Sequence, residues 1–184
     1  MMLLYTQNDL LSTSNFSYQW SYAIRSDGAL FTWGNHQSST LGVPLPWPSA
    51  VAGTSFTMAL RSDNSLWTWG FNSVGQLGLN DSVNRSSPVQ VGTSSWTGIS
   101  AGASHATAIR TDSAVFTWGN NANYQLGDGT SINKSSPVQV GTSSWTVASA
   151  GTKFTAAVRF GGSLFTWGDN TVTNTALSFA TLVK

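Results

Sequence analysis

The sequence predicts an all-β repeat protein, because one aromatic phrase recurs along the chain at long intervals. Phe-Thr-Trp-Gly stands at 31–34, 116–119 and 165–168, and Trp-Thr-Trp-Gly stands at 67–70. The tryptophans of the last three copies are spaced 49 residues apart. A period of about 50 residues is typical of blades or solenoid turns rather than of a globule built around a single site.

Each repeat is predicted to begin with a β-hairpin. A strand of small residues, such as 101–110, is followed by a turn of Asp, Ser, Thr or Gly and then by a strand such as 115–118. These turn residues accept a positive φ or bond their own backbone, as short hairpin turns require. We therefore expect one repeat domain over residues 1–184, with blade hairpins near 16–34, 52–70, 101–119 and 150–168.

The second half of each repeat is predicted to form the outer part of a four-stranded blade. A Leu-Gly pair follows the Trp-Gly pair by seven residues in three copies, at Leu41, Leu77 and Leu126. The segments 86–97 and 135–146 are identical, and their Val-Gln-Val alternation beside a proline suits an outer or edge strand. The first interval between tryptophans is only 36 residues, so the first blade should be trimmed at its rim.

The composition favours a packed core and argues against several classes of partner. The chain is 40% hydrophobic and 12% aromatic, but only 8% charged, and its net charge is +1. No basic stripe is available to neutralise a nucleic-acid backbone. The absence of cysteine excludes thiol chemistry and disulfides. No apolar run is long enough for a membrane span or a secretion signal. From the charge pattern we therefore expect no nucleic-acid partner, and from the apolar runs we expect no membrane partner.

The ordered motifs resemble a known repeat family. Ala-Gly-x-x-His, an Asp in the turn, Trp-Gly-x-Asn, Gln-Leu-Gly and Pro-Val follow one another between Ala101 and Val140. This order is similar to the repeats of the regulator of chromosome condensation family. The resemblance implies a β-propeller, commonly of seven four-stranded blades. Four hairpins would then form an incomplete ring, which other subunits complete, although a closed ring of four blades is the monomeric alternative.

The tryptophans are predicted to be packing residues rather than a sugar-binding surface. Packing recurs in every blade of a repeat protein, whereas a ligand site usually breaks the repeat at one place. All nine tryptophans occupy repeating positions. The predicted structural core is Trp33, Trp69, Trp118 and Trp167 in one slot and Trp47, Trp96 and Trp145 in another.

Four arginines are the candidate interaction residues. Arg25, Arg61, Arg110 and Arg159 are each predicted to end the inner strand of a blade. They should therefore emerge on one face of the ring as an arc of cations that could attract carboxylates or phosphates. An Asp follows two positions later in three copies, which favours a neutralised turn instead; Arg159 is followed there by Gly161. His105 replaces an aromatic residue and is expected to be structural.

The sequence predicts no catalytic, cofactor-binding or metal-binding residues. The seven aspartates are mostly assigned to turns, and no nucleophile or phosphate-binding motif occurs. The leading hypothesis is a non-enzymatic structural or attachment module that assembles through its blade edges with other subunits or copies of itself. Its short, regular repeats resemble those of proteins encoded by bacteriophages and environmental bacteria, so a virion or another extracellular assembly is favoured as its location. The alternatives are a glycan-binding propeller and, less favoured, a guanine-nucleotide exchange or chromatin-binding module.

Overall fold

The computed structural model describes residues 10–13, 20–25, 30–34, 39–41, 47–170 and 175–182, with side-chain environments for residues 47–169. The described residues form four antiparallel sheets of four strands each, which we number as blades 1 to 4 in chain order. The all-β fold and its four blades are therefore as predicted.

Every blade is made of four consecutive strands. Blade 1 contains β1 (Leu10–Thr13), β2 (Trp20–Arg25), β3 (Leu30–Gly34) and β4 (Ser39–Leu41). Blade 2 contains β5 (Ser49–Ala52), β6 (Phe56–Leu60), β7 (Leu66–Gly70) and β8 (Arg85–Gln90). Blade 3 contains β9 (Trp96–Ala101), β10 (His105–Arg110), β11 (Val115–Gly119) and β12 (Lys134–Gln139). Blade 4 contains β13 (Trp145–Ala150), β14 (Phe154–Arg159), β15 (Leu164–Asn170) and β16 (Thr175–Leu182).

The glycine of each Trp-Gly pair is the last residue of the third strand that pairs with the second strand, and no side chain fits there. Gly70, Gly119 and Gly168 have φ values of 112°, 99° and 102°. A Cβ on any of them would lie 2.6 Å from the carbonyl oxygen of the turn before the second strand. The left-handed region favours glycine, and the close backbone excludes every larger residue. The motif therefore marks the end of the hairpin.

The order of strands corrects one part of the sequence interpretation. The predicted strand 101–110 is interrupted at residues 102–104, so that Ala101 ends β9 and His105 begins β10. The first strands of neighbouring blades lie against each other, because β9 packs against β5 and β13 packs against β9. The fourth strands of neighbouring blades show no comparable packing in the described residues. The innermost strand is thus the one beginning at the second tryptophan slot, and the arginines end the second strand rather than the innermost one.

The hydrophobic core lies between neighbouring blades. Phe56, Met58 and Leu60 of β6 form one cluster with Trp96 and Trp118 of blade 3. The indole Nε1 of Trp118 donates a hydrogen bond of 3.0 Å to the carbonyl oxygen of Gln76 in blade 2. A second cluster joins blades 3 and 4 through Val115, Val140, Trp145, Ala157 and Trp167. Each blade is therefore stabilised by the next one.

Blade 1 is trimmed at its rim, as its short repeat predicts. Its outer strand β4 has three residues, whereas β8 and β12 have six. Leu41 belongs to that outer strand and pairs with Leu30. The equivalent Leu77 and Leu126 lie instead in loops, where both are fully buried.

The four blades form an incomplete ring. Blade 2 packs on blade 1 through β2 and β5, blade 3 on blade 2 through β9, and blade 4 on blade 3 through β13. Among the described residues, no comparable packing joins blade 4 back to blade 1. The last blade consequently has one face without a neighbouring blade.

Candidate functional site

The face of blade 4 that points away from blade 3 is apolar and exposed. Val158 of β14 is paired with Val147 on one side and with Leu164 on the other. Phe154 lies four residues before Val158, on the same face of the strand. We call these four residues the open flank. Val147 is 56% exposed, Phe154 45% and Leu164 40%. Apolar side chains in such a continuous group mark interaction surfaces.

The same repeat positions are fully covered in the preceding blades. Phe56 and His105 occupy the slot of Phe154, and both are 0% exposed. Leu66 and Val115 occupy the slot of Leu164, and both are also 0% exposed. The exposure of the open flank therefore comes from the missing neighbour and not from the residue types.

His105 shows how completely a following blade covers this slot. Its Nε2 lies 2.9 Å from Thr155 Oγ1 of blade 4, and that hydroxyl donates to the carbonyl oxygen of Gln125 at 2.8 Å. The hydroxyl proton is thereby committed, so His105 donates through Nε2–H. Burial lowers the pKa of His105 to about 4, from an ordinary value of 6.5. This histidine is neutral at physiological pH and is a packing residue.

The arginines lie on aromatic rings at one end of the hairpins. The guanidinium of Arg61 lies 5.2 Å from the Trp67 ring centroid and that of Arg110 lies 4.7 Å from Phe116. Arg159 lies 5.6 Å from Phe165 in the same arrangement. Arg25 is the last residue of β2, and its side chain lies outside the described residues. The arc of cations predicted from the sequence remains a prediction as an interaction surface.

The turns that follow these arginines differ in how they use the acidic residue. Asp112 accepts hydrogen bonds from Arg110 at 3.0 and 2.6 Å, which hold the pKa of Asp112 at about 2. Asp63 accepts instead from the backbone N–H and the hydroxyl of Ser65. Only the turn of blade 3 is thus neutralised by direct pairing within residues 47–169. In blade 4, where glycine replaces the acid, the guanidinium of Arg159 has no hydrogen-bond or ion-pair partner in the described part of the chain.

The tryptophans of both predicted slots are buried wherever their side chains are described. Trp69, Trp118 and Trp167 are at most 2% exposed. Trp47, Trp96 and Trp145 are at most 8% exposed. Trp96 packs edge-on against Phe116, and Trp145 packs in the same way against Phe165. Trp33 lies in β3, and its side chain is outside the described residues.

Sequence reasoning missed two buried asparagines that organise the outer loops. Asn72 donates to the carbonyl oxygens of Asp81 and Val83 and accepts from the backbone N–H of Leu77. Asn121 makes the equivalent bonds in blade 3. The signal was present in the sequence, because both residues stand three positions after the tryptophan of the Trp-Gly pair. These loops are held internally and do not surround a pocket of converging acids.

The described residues contain no group of three or more histidine or acidic side chains that could hold a metal ion. Asp128, in the loop at 127–130, accepts hydrogen bonds from Asn121 and Thr130, and its carboxylate lies 3.3 Å from the Lys134 ammonium. The part of the chain that the structure describes has no helix with the length and apolarity needed to cross a bilayer.

Comparison with known families agrees with the repeat motifs. The regulator of chromosome condensation (RCC1) repeat matches residues 63–109 and 112–158, which together make up just over half of the chain. This chain belongs to the RCC1 repeat family. A second description of the RCC1 repeat matches residues 49–76 and 96–125. The search of curated protein sequences found no match to the chain.

Solved RCC1 structures share this fold at low sequence identity. The chain is similar to yeast RCC1 (Prp20) in its complex with Kap60, with a TM-score of 0.82 and 17% identity over 99% of this chain and 50% of that one. A structure of Saccharomyces cerevisiae Prp20p, described with its binding to Gsp1p and histones, gives a TM-score of 0.81 and 17% identity over 98% and 52%. Human WBSCR16 gives 0.79 and 18% identity over 90% and 50%. The chain therefore spans about half the length of these propellers.

Proposed function

We propose that this RCC1-repeat protein is a non-enzymatic structural or attachment module that assembles through the open flank of blade 4. The observation that carries the proposal is the exposure of Phe154 and Leu164 at positions that are fully buried in blades 2 and 3. Burying side chains of this size contributes about 1.5–3 kcal/mol each. A surface of this kind favours a protein partner.

The occupant that we propose for the open flank is a blade of a second copy of this chain. Blades 2 and 3 present the same repeat positions, and each receives a blade of the same repeat type. A blade of a second copy therefore has the shape that is needed to cover the open flank, because blades of this repeat type already cover the equivalent faces of blades 2 and 3. The small number of charged residues and the regular repeats support a virion component as the setting for such an assembly, in keeping with the sequence interpretation.

The fold supports a structural role more than glycan binding in the blade loops. The loop at 71–76 is closed by Asn72 and gives its Gln76 carbonyl to Trp118 of the next blade. The carbonyl of Gln125, at the equivalent position, accepts instead from the hydroxyl of Thr155 in blade 4. These loops therefore serve the contacts between blades.

The test is the mass in solution over a dilution series, measured by gel filtration with light scattering. We expect a dimer or larger assembly that dissociates on dilution, with a melting temperature that rises with concentration. The double variant Phe154→Ser/Leu164→Ser should be a monomer, because it removes the apolar contact. The matched control is Val83→Ser/Ile132→Ser, which changes two apolar side chains that are 59% and 64% exposed in the outer loops. A wild-type monomer at every concentration would refute the proposal.

A further inference from the structure

The repeat is broken in the turn between β14 and β15. Blade 3 carries Arg-Thr-Asp-Ser at 110–113, and blade 2 carries Arg-Ser-Asp-Asn at 61–64. Blade 4 carries Arg-Phe-Gly-Gly at 159–162 instead. Phe160 is 81% exposed, more than any other large apolar side chain in the described residues. A ligand site in a repeat protein is expected at such a break, because packing demands recur in every blade.

Blade 3 shows which ligand this arginine position accepts. The guanidinium of Arg110 holds the carboxylate of Asp112 with two hydrogen bonds, from Nε and from one terminal nitrogen. Arginine presents these donors in a planar fork that matches a carboxylate. In blade 4 the acid is replaced by Gly161, and a Cβ at that position would meet no atom within 4 Å. The space beside Arg159 is therefore open, while its donors are unused in the described part of the chain.

An apolar groove lies beside the guanidinium of Arg159. A cavity of about 270 Å³ between blades 3 and 4 is lined by Val140, Trp145, Arg159 and Phe165, among others. Its size suits a side chain rather than a large ligand. Trp145 is 4% exposed, and its indole Nε1 has no hydrogen-bond acceptor in the described residues. The groove thus places apolar walls beside the guanidinium of Arg159.

We propose that Arg159, Phe160 and this groove bind an aspartate or glutamate side chain that lies next to an apolar residue in a partner protein. The partner's carboxylate takes the place that Asp112 holds in blade 3, and its apolar neighbour packs on Phe160. Arg159 and the groove lie on the side of blade 4 that faces blade 3, whereas the open flank faces away from blade 3. The site therefore does not depend on the assembly proposed above.

The probe is the blocked peptide Gly-Leu-Asp-Leu-Gly, compared with the same peptide carrying Asn or phosphoserine in place of Asp. Binding is followed by heteronuclear NMR through the Arg159 Nε–H and Trp145 indole resonances. We expect the Asp peptide to shift both resonances in a saturable way and the Asn peptide to bind at least about tenfold more weakly, because it lacks the charge. Affinity should fall as the salt concentration rises, since the site is exposed.

The variant Arg159→Ala should weaken binding of the Asp peptide about tenfold or more, and Phe160→Ser, which restores the residue type of blade 2, about fivefold. Arg110→Ala is the matched control, because its cation already has an internal carboxylate, and it should bind as the wild type does. Equal binding of the Asp and Asn peptides, tighter binding of the phosphoserine peptide, or unchanged affinity in Arg159→Ala would each overturn the assignment. The far-ultraviolet circular dichroism spectrum of each variant should match that of the wild type, which shows that any loss of affinity comes from the site and not from unfolding.

Discussion

The flank of blade 3 and the open flank of blade 4 are made from the same repeat positions but lie in different environments. Blade 4 covers His105 and Val115 completely, whereas Phe154 and Leu164 at the equivalent positions are about half exposed. The residue types are equally suited to burial. The comparison shows that in this protein a blade's core is completed by its neighbour, so burial depends on position in the ring.

The largest expected effect comes from truncating the same aromatic slot in a covered and an uncovered blade. Phe56→Ala should lower the free energy of unfolding by about 3–5 kcal/mol, because Phe56 is fully buried between blades 2 and 3. Phe154→Ala should cost about 1 kcal/mol in dilute monomer, because much of its ring already contacts water. Urea unfolding of both variants measures the difference. Equal losses would show that Phe154 is covered within the chain and would break the comparison.

The pH dependence of stability reports on how well blade 4 covers blade 3. The pKa of His105 is about 4 in the folded protein, against 6.5 when exposed, so the unfolded chain binds the proton more readily. The free energy of unfolding should therefore have its full value above pH 6.5. It should fall by about 3 kcal/mol as the pH is lowered towards 4 and His105 is protonated in the unfolded chain. Thermal unfolding at a series of pH values measures this loss.

The control for that titration is His105→Phe, which places in blade 3 the residue that blades 2 and 4 carry in the same slot. The variant should lose most of the pH dependence between 4 and 6.5 while it remains folded. A wild-type profile in this variant would assign the titration to another group. It would also mean that the contact between blades 3 and 4 leaves His105 open to water.

The smallest of these effects concerns the glycines where neighbouring blades approach each other. A Cβ on Gly102 would lie 2.4 Å from the carbonyl oxygen of Gly151 in the next blade. A Cβ on Gly151 would meet only side-chain atoms of Phe154 at such distances. Gly102→Ala should therefore cost about 1–3 kcal/mol, and Gly151→Ala less, because the exposed Phe154 ring can move away. The melting temperatures of the two variants show which substitution is more destabilising. A larger loss for Gly151→Ala than for Gly102→Ala would contradict the view that blade 4 has no neighbour.

Much of the fold could be predicted from local patterns. The Trp-Gly pairs placed the ends of the hairpins, and the short interval after Trp33 predicted the trimmed rim of blade 1. The boundary between β9 and β10 was missed, because Ala101 to Ser104 are all small residues and nothing in their order marks a chain reversal. The special character of Phe160 and Arg159 could be detected in part, since Gly161 stands where the other copies carry an acid. The exposure of Phe160 and the groove beside it required the packing of blades 3 and 4.

By itself, the sequence determined the repeat, the strand content of each blade and the residues that fill the contacts between blades, because these depend on spacing and residue type along a short stretch of chain. Only the tertiary structure decided which contacts are made. Phe56 and Phe154 are the same residue in the same motif, and no local pattern separates them. The physical reason is that burial is a property of the surface on the other side, and blade 3 provides that surface for Phe56 while the described residues provide none for Phe154.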